Sequence, residues 1–252
     1  MKTNTTKNLA FLFIFTLAMG FLEAIVVIYL RHIYYPDGFS FPLRIISNDV
    51  FFAEFIREIT TMIMLFSISF IAGKNRLQIL AYLLFSFAVW DIFYYVALKL
   101  FLNWPSSFLT WDILFLIPTI WVSPMIAPVI CALTMILLSI IILLMQEKIN
   151  DFKLTKIEWF FLYLGALLIF ITFIWDYLAI LISNHSLGEY LLFRHSDTLD
   201  NIISTFIPCN YNWILFIIGI ACIYFAIFLI LYKSSMQTKS TVNHRIEQRK
   251  IK

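Results

Sequence analysis

Apolar residues in this chain come in long unbroken blocks rather than at strand or amphipathic-helix intervals. A block of roughly 20 apolar residues, rising about 1.5 Å per residue as a helix, covers the about 30 Å of hydrocarbon in a bilayer. Six such blocks, bounded by charges or turn residues, run approximately from Leu9 to Leu30, Val50 to Ala72, Leu77 to Leu102, Pro124 to Met145, Ile157 to Ile182 and Trp213 to Tyr232. Strands of a membrane barrel would alternate over about ten residues, so continuous blocks predict helices. The expected fold class is all-α: a polytopic integral membrane protein with a bundle of about six transmembrane helices in one domain over residues 1–232. A basic tail follows over 233–252.

Two connections between the blocks are too long for plain turns. Trp111 to Val122 is mostly apolar and, at about 18 Å as a helix, too short to span. It is expected to form a short re-entrant or interfacial helix, with Thr110 as its N-cap and Ser123-Pro124 opening the next span. In the second connection Leu199, Ile202, Ile203 and Phe206 recur at helical spacing, opposite Asp200, Asn201, Ser204 and Thr205, and Pro208 ends the pattern. This predicts an amphipathic helix at the interface, either a passive cover or a lid.

Composition confirms lipid as the solvent for most of the chain. Apolar residues make up 62% of the 252 and charged residues 13%, with a mean hydropathy of +0.90. A soluble domain would carry nearly twice that share of charge to cover its core. The 27 Phe, 12 Tyr and 7 Trp suit acyl-facing and interfacial positions.

Charge placement adds an orientation. With the N-terminus inside, thirteen of the 18 Lys and Arg fall in cytoplasmic segments, while Arg31, Arg44, Lys99 and Arg194 fall outside and Arg57 lies within a span. Basic residues in short loops are retained in the cytoplasm, so both termini are expected there, in an arrangement that fits a bacterial inner membrane. The first block exceeds a signal-peptide core and no A-x-A site follows it, so it is expected to stay as an anchor. After Tyr232 come six basic residues and one acid, Glu247, a pattern that attracts anionic lipid head groups rather than nucleic acid.

Six ionisable residues interrupt the spans: Glu23, Glu54, Arg57, Glu58, Asp91 and Asp176. Each costs about 2.5 to 3.5 kcal/mol at a helix centre, so such residues face a bundle interior or a wet cavity. On the expected topology all six occupy the outer half of the bilayer. Glu54, Arg57, Glu58 and Thr61 share one stripe of the second span at i, i+3, i+4 and i+7. Glu23 shares a face with Thr16, Gly20 and Val27, and Asp176 with Gly165 and Thr172. Arg57 is expected to pair with Glu54 or Glu58. Trp-Asp occurs at Trp90-Asp91, Trp111-Asp112 and Trp175-Asp176; with Tyr94 and Tyr95, the residues Trp90, Asp112 and Trp175 are expected to rim a pocket whose ring faces and carboxylates suit a cation.

Five carboxylates against one guanidinium cannot all stay ionised in a low-dielectric seam. Either several keep their protons or a bound cation balances them. Oxygen ligands would suit a hard cation such as Mg²⁺ or Ca²⁺, although no ligand spacing specifies one. His32, His185, His195 and His244 are dispersed, Cys131, Cys209 and Cys222 form no CxxC, and no nucleotide or nucleophile motif occurs.

Three function classes follow. The first is binding or transport of a proton, metal ion or organic cation at an acidic site. The second is an intramembrane enzyme using these carboxyls on a lipid-soluble substrate, and the third an assembly protein whose polar seam only orients helices. For a transporter the chain is short and shows no inverted repeat, which self-association into a homo-oligomer would offset.

Overall fold

A computed structural model of the protein describes residues 3–149, 151–191 and 197–250, with side chains up to Lys233. Arg194, His195, the side chains of His244 and of the basic tail beyond Lys233, and the ends at Lys2 and Lys252 lie outside the described residues. The elements in chain order are α1 (Thr3–Tyr34), α2 (Asn48–Ala72), α3 (Arg76–Leu102), β1 (Trp111–Ile113), β2 (Val122–Pro124), α4 (Ile126–Lys148), α5 (Lys156–Ser183), α6 (Leu187–Leu191), α7 (Asp197–Thr205) and α8 (Trp213–Lys250).

Six of these helices are long and apolar enough to cross a membrane: α1 to α5, and α8 over Trp213–Lys233. Each contains one of the six apolar blocks almost whole. The molecule is an all-α helical membrane bundle. Large side chains such as Phe11, Ile71 and Ile214 stand exposed on its outside, as they do when the surroundings are hydrocarbon. Local chemistry fixes the ends. The Asn75 side chain accepts the Leu77 and Gln78 N–H groups to start α3, and Thr155 and Glu158 close a capping box on α5.

Hydrogen bonds far apart in sequence gather the two ends of the bundle. Asn8 donates to the Ala72 carbonyl at 3.0 Å, Gln146 to Asn75 at 3.1 Å, and Lys233 to the Lys153 carbonyl at 2.9 Å. These define the end that carries both chain termini. The opposite end holds the α1–α2 connection, the hairpin and α6–α7. Within the bundle α3 packs closely with α1, α2 and α4, whereas α5 pairs with α8. Two glycines permit that second pairing: a Cβ on Gly165 would lie 2.6 Å from the Gly219 carbonyl oxygen.

The segment from Trp111 to Val122 is not a helix. It forms an antiparallel hairpin in which Trp111 pairs with Pro124, Asp112 with Ser123 and Ile113 with Val122. Thr110 caps no helix; its hydroxyl accepts the Ser107 N–H at 3.0 Å, and α4 begins after Met125, beyond Ser123 and Pro124. Pro118 would have removed a helical hydrogen bond, and a run rich in Ile, Phe, Trp and Val suits strands equally well. The expected amphipathic helix exists as α7. Leu199, Ile202 and the following Phe206 are buried in a cluster with Tyr177, Tyr190, Leu43 and Val122, which closes this end of the bundle.

Candidate functional site

Beneath that cap lies a cavity of about 570 Å³. Five of the six intramembrane charges, Glu23, Glu54, Arg57, Glu58 and Asp91, line it, together with Trp90, Tyr94, Tyr95 and Asp112. Arg31 lines it as well, and Arg44 and Asp200 stand near its mouth on the α1–α2 connection and α7. The cavity wall therefore carries six carboxyls and three guanidiniums.

Arg57 ties α1 to α2. Gly20 lets α1 approach α3 until its missing Cβ would lie 2.7 Å from the Trp90 carbonyl oxygen, and one turn later Glu23 meets α2. There Glu23 forms an ion pair with the Arg57 Nη1 and accepts the Thr61 hydroxyl at 3.2 Å. Glu54 takes the other edge of the same guanidinium, 2.8 Å from Nη2 and 2.9 Å from Nε. The pairing with Glu54 follows from i, i+3 spacing, whereas that with Glu23 depends on tertiary packing.

Glu58 has a different task. Both its oxygens accept the Leu116 N–H from the hairpin, at 3.0 and 2.9 Å, and the Tyr190 hydroxyl donates to the Leu116 carbonyl at 2.7 Å. A single residue at the hairpin tip thus has its N–H and its carbonyl satisfied by side chains from α2 and α6. Such irregular backbone is tolerated at membrane depth only where protein supplies its partners.

The second guanidinium is closed off. Arg31 is 7% exposed and its Nη2 lies 3.0 Å from Oδ1 of Asp112, itself 1% exposed. The guanidinium carbon stands 3.7 Å from the Trp104 ring centroid and 4.5 Å from that of Phe39. Burial pushes the Asp112 carboxyl above the ordinary aspartate range, and the Arg31 charge pulls it part of the way back.

Asp91 stands apart from both pairs. It is within electrostatic reach of Asp112, yet it has no hydrogen-bond or ion-pair partner among the described residues. Around the same cavity the Trp90 indole N–H and Nη1 of Arg31 are buried and make no hydrogen bond among the described residues, while the Tyr95 hydroxyl stands within hydrogen-bonding reach of the Asp112 carboxyl. Groups of this kind, with burial and no partner, are what a polar guest would satisfy.

Comparison with protein-family models, curated proteins and solved structures finds no match to this chain. The geometry alone therefore has to carry the functional reading.

Several expected residues are placed elsewhere. Asp176 and Trp175 are exposed and do not line the cavity. The α5 face that carries Gly165 and Thr172 is covered as far as Thr172, whose hydroxyl lies 2.8 Å from that of Tyr211 just before α8 begins. Asp176 is one turn beyond the start of α8, so nothing of that helix remains to cover it. His32 and His185 are also exposed and outside the cavity. Arg31 and Tyr190 escaped sequence reading: the first sits at a span end and looks like a loop charge, the second acts on a backbone 74 residues away. Among the described residues no group of three or more His, Cys, Asp and Glu side chains is disposed to hold a metal ion.

Proposed function

We propose that the protein binds a cation within the membrane, an organic ammonium or a proton, in the acidic cavity between α1, α2, α3 and the hairpin. The observation that carries this reading is the unpartnered Asp91 in a wall where carboxyls outnumber guanidiniums. Arg31 and Arg57 are each engaged by carboxylates, and around the cavity as a whole carboxyls still outnumber guanidiniums. The rings of Trp90, Tyr94 and Tyr95 supply faces that attract an ammonium in a dry setting. With the basic segments in the cytoplasm, the mouth between the α1–α2 connection and α7 would receive its cation from the extracytoplasmic side.

The test is thermal unfolding of the purified protein in nonionic detergent, with tetramethylammonium chloride compared against sodium chloride at equal ionic strength. Binding at a hundredfold excess over Kd adds about 2.7 kcal/mol of stability. The ammonium is expected to raise the midpoint of the wild type and not that of Asp91→Asn. Were a proton the natural guest, the midpoint would instead depend on pH, and Asp91→Asn would remove that dependence. Midpoints that respond identically in wild type and variant to both ammonium and pH would overturn the reading.

A further inference from the structure

Away from its charged end the cavity continues between α3, α4, α5 and α8 without another charge. Its wall there is made of side chains such as Leu84, Leu138, Leu162, Ile169, Phe170 and Ile223. From Phe173 down to Trp159 this lining follows α5 for about 21 Å, longer than the about 15 Å of one bilayer leaflet. A full-length lipid chain fits along it.

The slot also opens sideways. Tyr163 and Ala166 line the cavity and are exposed, so the slot is open along this stretch of α5. The packing explains the gap: α5 is drawn onto α8 through Gly165 and Gly219 while α4 lies on α3, and no comparably close packing joins α5 to α3 or α4 among the described residues. A chain already dissolved in the bilayer can enter through that seam without passing through water.

The geometry points to a guest that is a single-chain cationic amphiphile, with its ammonium at Asp91 and its hydrocarbon tail along the α4–α5 slot. This rests on the cation reading and extends it to a substrate class. Charge complementarity selects the head: an anionic one would face the unpartnered Asp91 in a wall where carboxyls outnumber guanidiniums. The volume of about 570 Å³ falls in the range of about 300 to 1,000 Å³ usual for small-molecule pockets and accommodates one chain.

Hexadecyltrimethylammonium carrying a diazirine near its chain end, added to the full chain in lipid nanodiscs and irradiated, tests this. Mass spectrometry is expected to place cross-links on Leu138, Leu162 and Ile223. Excess unlabelled hexadecyltrimethylammonium should abolish them and hexadecyl sulfate should not. Asp91→Asn is expected to weaken the competition by about tenfold, the scale of one lost carboxylate–ammonium charge contact, and Ala166→Trp to suppress the cross-links while leaving the tetramethylammonium stabilisation intact. Cross-links spread over lipid-facing residues such as Phe11, Ile63 and Phe160, uncompeted, would overturn the tail site and leave the head site standing. Slot cross-links competed equally by the sulfate, and indifferent to Asp91→Asn, would overturn the cationic head instead.

Discussion

Two arginines are buried at the same end of this bundle, and they are held in opposite ways. Arg31 has one carboxylate, little exposure and two aromatic rings against it. Arg57 has two carboxylates, a third beside it on the same helix stripe, and a side chain 21% exposed toward a cavity. A one-to-one pair flanked by rings holds the hairpin to α1 and has no surplus charge for a ligand. A guanidinium surrounded by surplus acid leaves negative charge over, and only that kind of site can recruit something from outside.

Breaking the sealed pair should have the largest effect. Removing one member of a buried pair leaves an uncompensated charge and costs about 3 to 5 kcal/mol. Arg31→Met is expected to lose that much in reversible unfolding in mixed micelles, and Arg31→Met with Asp112→Leu to regain most of it. Next comes Glu58→Leu, which strands the Leu116 N–H and should cost about 2 kcal/mol, while Glu58→Gln keeps an acceptor there and should cost much less. Arg57→Met is expected to cost about 1.5 kcal/mol in the same measurement, because the exposed side of its site lets water reach the carboxyls it leaves. Adding Glu54→Leu to it should not restore stability, since Glu23 stays unpaired. This contrast with the Arg31 double variant separates the two sites. The smallest effect belongs to Asp91→Asn: without a partner to lose, its stability should stay within about 0.5 kcal/mol of wild type, and its unfolding midpoint should no longer respond to tetramethylammonium.

The spans were legible because lipid imposes a length and a composition that each apolar block meets on its own. The charged stripe of α2 was legible for a similar reason: i, i+3 and i+4 spacing places Glu54, Arg57 and Glu58 side by side whatever surrounds them. The hairpin was not, because a short apolar run suits a strand as well as a helix, and its decisive partners, Glu58 and Tyr190, lie 58 and 74 residues away. Asp176 shows the limit of phase arguments. Its angle on α5 matches that of Gly165, but whether that angle is covered depends on where the neighbouring helix begins, which periodicity does not contain.

The double hold on Leu116 has a consequence for how the protein is made. Its N–H and its carbonyl are held by residues that leave the ribosome at different times, Glu58 long before it and Tyr190 long after. The vault over the cavity therefore cannot close while the nascent chain is shorter than about two hundred residues. Until then the Leu116 carbonyl waits without its tyrosine, and a truncation ahead of α6 would insert its first spans normally yet never finish the roof.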